Sequence, residues 1–314
     1  QHRRAARLIA AMAMNGDDHE EIPAGRRLVR AHGSGGQSLS ERLTSHFYRL
    51  TWRTPLHALR LRGRFPLKLL AVPDDPIPGD AEAGLSIYRG EMRWRGEMLR
   101  RSEIDFSSET VSQGFVDYLQ RFQWLRDLAA AGPRAHIAPI AETLTRQWLD
   151  NHAEKVSEPA WRPDLWGWRI LFWAAHAPLI LSSTDLVYRS AVLNGLARGA
   201  RHLDRTADRA PVGLPRIAAW AGVVAAGLLI AGGNPRRSFG EAGLARALAS
   251  GFSSDGGLVC RTPQGQLDAI ALLSMLSRIY EARRIEMPDA LAAALQRAVP
   301  PLLGVTLGDG GLSS

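Results

Sequence analysis

Residues 252–284 read FSSDGGLVCRTPQGQLDAIALLSMLSRIYEARR, and this stretch decides the fold. Its Asp-Gly-Gly is typical of a turn, because glycine accepts a positive φ and the aspartate side chain bonds the backbone beyond it. The following Thr262-Pro263 predicts the start of a helix, with Thr262 as the N-cap and Pro263 in the first turn. From Leu267 onward apolar residues recur every three or four positions, which predicts a helix with one buried face.

A polar group precedes this helix, made of Arg261, Thr262, Gln264 and Gln266. Backbone N–H groups and the helix dipole favour an anionic ligand at such a place. An ordinary capped loop between two core helices explains the same residues equally well.

The Asp-Gly-Gly turn, the Arg-Thr-Pro-x-x-Gln segment and the leucine-rich helix together resemble the heparinase II/III family. Two other stretches are similar to that family, namely residues 122–128, FQWLRDL, and the pattern Trp-x-Pro-Asp-x-x-x-x-Arg-x-x-x-Trp at 161–173. The resemblance implies a mainly α fold, an incomplete α/α toroid with a small N-terminal β hairpin. It also implies a polysaccharide lyase, whose C-terminal β-sandwich we expect to be missing from this chain.

Stretches rich in proline and glycine divide the chain into three predicted regions. We expect a basic N-terminal head with its following helices at 1–72, a proline-rich turn with a small β segment at 73–106, and the toroid at 107–314. In the middle region, residues 86–89 and 92–95 alternate around Gly90, which predicts the two strands of the hairpin.

Residues 217–231 carry no charge and are the one run to test as a membrane span. The run falls short of the ~20 residues that a span needs. Alanine and glycine dominate it, which favours close helix packing inside the toroid.

The excess of positive charge lies at the beginning of the chain. Residues 1–68 contain 13 Arg or Lys against 5 Asp or Glu, and the remainder is balanced. A basic head can meet a membrane surface or an acidic polymer. Nucleic acid is not expected as a partner, because no nucleic-acid-binding motif is present. We find no clear signal peptide, and the resemblance favours the periplasm or the cell envelope.

Motifs for cofactors and metals are missing from the sequence. Cys260 is the single cysteine, which excludes an intrachain disulfide and a cysteine zinc site. The chain has no phosphate-binding Walker loop and no Gly-x-Ser-x-Gly elbow, and its nine histidines have no metal-ligand spacing. We therefore expect neither a cofactor nor a metal.

Five of the nine tryptophans fall between positions 148 and 173, with Arg169 among them. Tryptophan faces and arginine forks bind sugar rings and uronate carboxylates. We therefore predict an acidic polysaccharide or oligosaccharide as partner, bound by Arg261, Gln266, Arg169 and Trp166. The competing interpretation is that these tryptophans belong to the core, because tryptophans at helical spacing are more often core residues than sugar-binding residues.

A lyase that acts on a uronate must neutralise an enediolate and transfer a proton. The resemblance implies an asparagine and a tyrosine of the toroid for these tasks, with a histidine from the β-sandwich. Here Gly265 stands at the tyrosine position and the asparagine position falls around Gly213-Leu214-Pro215, so catalytic residues stay unassigned and enzymatic activity stays open.

The leading function is the toroid domain of a polysaccharide lyase that acts by β-elimination on a uronate-containing glycan. One alternative is a non-catalytic glycan-binding or cell-envelope protein on the same fold. Another is a glycoside hydrolase on an α/α toroid, which would need two of Glu241, Asp255 and Asp268 across one cleft.

Overall fold

The computed structural model describes residues 68–104, 106, 110–306 and 311–312. Within these ranges the chain is mainly helical and contains one two-stranded antiparallel hairpin. The basic head, with its predicted membrane contact, falls almost wholly on residues 1–67 and lies outside the described residues.

The helices, in chain order, are α1 (Ala81–Arg89), α2 (Gln113–Arg121), α3 (Trp124–Ala130), α4 (Arg134–His152), α5 (Pro163–Ala175), α6 (Ala177–Ile180), α7 (Leu186–Thr206), α8 (Leu214–Leu229), α9 (Asn234–Gly251), α10 (Pro263–Arg283) and α11 (Asp289–Gly304). Strands β1 (Glu91–Trp94) and β2 (Glu97–Arg100) lie between α1 and α2. Short 3-10 turns follow at Arg101–Glu103 and Ala207–Arg209.

The β hairpin lies further along the chain than the sequence predicted. Residues 86–89, expected as a strand, form the end of α1. The carboxylate of Asp80 caps this helix by accepting hydrogen bonds from two backbone N–H groups of the first turn at 2.9 and 3.1 Å. This cap and the packing of α1 against α3 outweigh the β propensity of the segment. The hairpin turn is Arg95-Gly96, with φ angles of 45° and 89°.

Four helices form the first layer of the fold. Helices α2, α5, α8 and α10 contact one another in succession. The second layer packs against the first, with α7 on α5 and α8, α9 on α8, and α11 on α10. This two-layered succession of helices confirms the expected incomplete α/α toroid.

Helix α8 is the centre of the core. Every residue from 217 to 229 is buried, as the uncharged run predicted. Gly167 of α5 lies so close to α8 that an added Cβ atom would sit 1.9 Å from the carbonyl oxygen of Ala218. The two backbones are therefore in direct contact, which only glycine allows at this position. No helix in the described ranges is long and apolar enough to cross a membrane.

The aromatic-rich residues 115–125 are divided between two helices, α2 and α3. Helix α2 ends at Phe122, which adopts a left-handed conformation with φ 63°. The Phe122 ring is fully buried and packs edge-on against Trp148 and Trp173 at 5.8 and 5.2 Å. Burial of this ring offsets the strain of the positive φ. The left-handed residue ends α2, and the chain continues in a new direction as α3.

Candidate functional site

The loop before α10 is built around the side chain of Gln266. Its Oε1 accepts a hydrogen bond from the backbone N–H of Leu258 at 2.7 Å. Its Nε2 donates to the carbonyl oxygens of Gly256 and Ala298 at 2.9 and 2.8 Å. Gln266 is buried, so its amide holds the loop in place and joins it to α11.

Arg261 stands on the outer side of the same loop. Its backbone is left-handed, with φ 52°, and its Nη1 donates to Asp255 Oδ2 at 2.6 Å. More than half of each side chain is exposed. The hydrogen bond from Arg261, with a second from the backbone N–H of Gly257, lowers the pKa of Asp255. Arg261 therefore presents a guanidinium to solvent from a fixed backbone position.

Five side chains next to this loop form a polar face, which we define as Arg95, Arg121, Trp168, Gln264 and Asp268. The Gln264 amide donates to Asp268 Oδ1 at 2.7 Å, and Arg95 Nη2 donates to Gln264 Oε1 at 3.4 Å. The Arg121 guanidinium lies 3.5 Å from the Asp268 carboxylate and 5.5 Å from the centre of the Trp168 ring. The polar face therefore joins the hairpin turn to α2, α5 and α10.

A second set of charges extends the polar face along α2. Asp117 lies one helical turn before Arg121, and Arg162 Nη1 donates to Asp117 Oδ1 at 2.8 Å. Arg162 Nη2 also donates to Asp164 Oδ2 at 2.6 Å. Burial disfavours the charge on Arg162, but Asp164 and Asp117 outweigh that effect and raise its pKa. These groups are fixed ion pairs that frame the face.

Trp166 and Arg169 lie in the core, with no exposed surface. Arg169 Nε and Nη2 donate to the carbonyl oxygen of Gln120 at 2.9 and 2.6 Å, and Nη1 donates to that of Ala160 at 3.0 Å. The guanidinium lies 4.1 and 4.4 Å from the centres of the Trp148 and Trp166 rings. Burial lowers the pKa of Arg169 well below its ordinary range. These contacts agree with the core interpretation of the tryptophans.

Of the four predicted ligand residues, the structure places only Arg261 at the surface. Gln266 lies directly beneath it, and Arg169 and Trp166 belong to the separate aromatic core. The binding role of the four stays a prediction. Sequence reasoning missed Arg95 and Arg121, although the spacing Gln113, Asp117, Arg121 is a polar helical stripe that could have indicated the second of them.

No tyrosine stands at the position that the resemblance implies, and Tyr118, Tyr188 and Tyr280 are buried. Gly265, at the tyrosine position, is in the first turn of α10, and Gly213-Leu214-Pro215 begins α8. Tyr118 donates to Asp127 Oδ2 at 3.0 Å, and burial together with that carboxylate raises its pKa well above the ordinary value. Burial raises the pKa of Tyr188 and Tyr280 as well.

The three carboxylates considered for a hydrolase have separate partners. Glu241 accepts from Tyr280 at 2.8 Å and lies 3.6 Å from Arg237. Asp255 and Asp268 pair with Arg261 and Arg121, as described above. Among the described residues there is no group of three or more His, Cys, Asp or Glu side chains that could hold a metal ion.

The chain matches no protein-family model. It is 30% identical over 263 residues to FtsZ-localized protein C of Caulobacter vibrioides, which covers 82% of this chain and 44% of that protein. The chain thus spans about half the length of the relatives it matches.

Two solved structures share its architecture. Heparinase III superposes with a TM-score of 0.58 at 14% identity, over 86% of this chain and 46% of that one. The heparan sulfate lyase HepC from Pedobacter heparinus gives 0.54 at 16%, over 87% and 45%. The described helices therefore have the fold of the toroid part of these heparinase-type lyases.

Proposed function

We propose that this chain is a lyase-type toroid that binds an acidic glycan on the polar face and does not cleave it by itself. One observation carries the proposal. The polar face gathers Arg95 and Arg121 beside Trp168, whereas the position expected for the proton-transferring tyrosine is Gly265.

The chemistry of the face suits the carboxylate or sulfate groups of a glycan. Guanidinium groups bind such groups through paired, charge-assisted hydrogen bonds. Arg95 is exposed at the hairpin turn, and Arg121 is held between Trp168 and Asp268. Exposed Arg261 adds a third guanidinium from the adjoining loop. A ligand anion would compete with Asp255 and Asp268 for these arginines, so we expect affinity to fall with rising salt.

Cleavage by β-elimination makes demands that the polar face does not meet. Charge neutralisation and proton transfer must act together on one sugar, and each contributes orders of magnitude in rate. The face as defined contains no tyrosine and no histidine. Binding does not depend on those groups and is retained without them.

The test is calorimetric titration of the chain with heparan sulfate and alginate oligosaccharides. Arg121→Ala and Arg95→Ala should each weaken binding about fivefold, roughly 1 kcal/mol for a partly exposed ion contact. Arg278→Ala is the matched control, because Arg278 pairs with Glu281 on the exposed side of α10. An unchanged affinity in both face variants would refute the proposal. Growth of the ultraviolet absorbance of an unsaturated uronate product would refute its non-catalytic part.

A second candidate function is association with FtsZ, favoured by the 30% identity with FtsZ-localized protein C. Co-sedimentation of this chain with polymerised FtsZ tests this association. Recovery of the chain in the polymer pellet supports association, and its absence from that pellet at saturating FtsZ excludes association through this part of the protein.

A further inference from the structure

Arginines from three elements line one cavity beside the hairpin. Helix α1 ends at Arg89, β2 ends at Arg100, and the 3-10 turn that follows begins with Arg101. The backbone N–H of Arg101 donates to the carbonyl oxygen of Gly90 at 2.7 Å, which ties the end of the hairpin to the end of α1. The topology therefore fixes these positive charges side by side.

These residues border two adjoining cavities. One, of about 500 Å³, is lined by Arg89, Arg100 and Arg101 and, from α4, by Thr143 and Gln147. The other, of about 520 Å³, is lined by residues of α1 and β1, among them Leu85 and Arg93. Arg89 and Glu91 line both cavities, and we call the two cavities together the arginine groove.

The arginine groove is lined by two carboxylates, Glu82 and Glu91, and by four arginines at positions 89, 93, 100 and 101, so its positive charge is only partly neutralised. Arg93 pairs with Glu91 at 2.5 Å, and Arg100 lies 3.7 Å from Glu103. Arg89 and Arg101 have no carboxylate within ion-pair distance in the described part of the chain. Two guanidinium groups thus face the groove with hydrogen-bond donors available to an anionic partner.

Apolar side chains accompany the arginines. Leu85 is 39% exposed and lies in the groove, and Met98 is 49% exposed directly across the hairpin from Arg93. None of the described residues that line the two cavities is aromatic, so the groove offers no ring on which a sugar would stack. Flexible aliphatic surface beside arginine suits the side chains of a peptide.

We propose that the arginine groove docks an extended acidic peptide segment of a partner protein. Its carboxylates pair with Arg89 and Arg101, and an apolar side chain packs on Leu85. Two adjoining cavities that share Arg89 can hold consecutive residues of an extended segment, and the excess of arginine over glutamate in their lining favours an acidic one. This site differs in position and ligand class from the glycan-binding polar face.

The test is fluorescence anisotropy of the full chain with a labelled peptide of alternating glutamate and leucine. The wild type should bind the peptide, and binding should weaken with added salt. The double variant Arg89→Glu with Arg101→Glu should lose at least about tenfold in affinity. Leu85→Ala should lose about threefold, because it keeps the charges and removes the apolar contact.

Three controls make the result decisive. Arg278→Glu reverses an exposed charge on α10 and should change peptide affinity less than twofold, and Arg121→Ala should leave it unchanged. A peptide with glutamine in place of glutamate should not bind. The proposal fails if Arg278→Glu is as damaging as the double variant, if the glutamine peptide binds equally, or if heparan sulfate binding is what the double variant abolishes.

Discussion

Arg126 donates two parallel hydrogen bonds to Asp75, from Nε to Oδ2 at 2.8 Å and from Nη2 to Oδ1 at 3.0 Å. His176 Nε2 lies 3.1 Å from the same Oδ2. About a tenth or less of each of the three side chains is exposed. Asp75 therefore connects the proline-rich segment to α3 through Arg126 and to the junction of α5 with α6 through His176.

Asp75→Asn should be strongly destabilising. The substitution removes the negative charge and leaves Arg126 buried beside neutral groups, which costs about 3 kcal/mol. Urea unfolding measures the loss. Asp74→Asn is the matched control, since Asp74 is exposed and adjacent in sequence, and it should change stability by less than about 0.5 kcal/mol. Equal effects of the two substitutions would contradict this account.

The same pair predicts an acid-sensitive component of stability. Burial alone would raise the pKa of Asp75, but Arg126 and His176 outweigh burial and lower it from 3.8 to about 2. A depressed carboxylate pKa stabilises the fold fully above pH ~4, and that stability is lost as pH falls from about 4 towards 2. The difference in melting temperature between wild type and Asp75→Asn should shrink over this interval. A difference independent of pH would show that Asp75 titrates normally.

Substitutions at Gln266 should separate its acceptor role from its donor role. Gln266→Ala leaves the N–H of Leu258 and two buried carbonyls without partners, which costs about 2 kcal/mol or more. Gln266→Glu keeps an acceptor for Leu258 but cannot donate while ionised, so it should be at least as destabilising at neutral pH and partly recover in acid. Thermal unfolding at two pH values checks this. Recovery on raising the pH instead would contradict it.

Gly265→Ala tests the position at which the resemblance implies a tyrosine. An added Cβ atom would lie 2.6 Å from Thr262 Oγ1, the atom that caps α10 by accepting the Gly265 N–H. We expect a loss of about 1 kcal/mol, the typical value of an N-cap. Gly304→Ala, where nothing lies within 4 Å of the added atom, is the control and should be neutral or slightly stabilising. Equal melting temperatures for the two variants would show that the cap adapts freely.

Much of the helical architecture could be predicted from local chemistry. Thr262 caps α10 as its sequence indicated, and the apolar stripe that begins at Leu267 is buried. Both features could be predicted from residues that are close together in the sequence. The first predicted strand was wrong, because residues 86–89 resemble a strand locally while the cap at Asp80 and the contact with α3 decide in favour of a helix.

The candidate site could be predicted only at the loop. Arg261 is visible from its turn and the helix that follows. Arg95 and Arg121 are separated from Gln264 and Asp268 by more than a hundred residues, and only the closing of the toroid brings them together. The sequence also could not show which tryptophan lies beside which arginine. Trp166 and Trp168 are two positions apart, yet Trp166 lies beside Arg169 and Trp168 lies beside Arg121.

The hydrogen bond from Gln266 to the carbonyl oxygen of Ala298 makes the loop mechanically dependent on α11. The same amide also hydrogen-bonds the backbone of Gly256 and Leu258, two residues that lie between Asp255 and Arg261. Gly256 also lies directly against the backbone of Arg297 in α11, so a displacement of α11 would be transmitted to the loop that carries the exposed guanidinium of Arg261. The orientation of the guanidinium that we propose as a glycan contact thus depends on the position of α11.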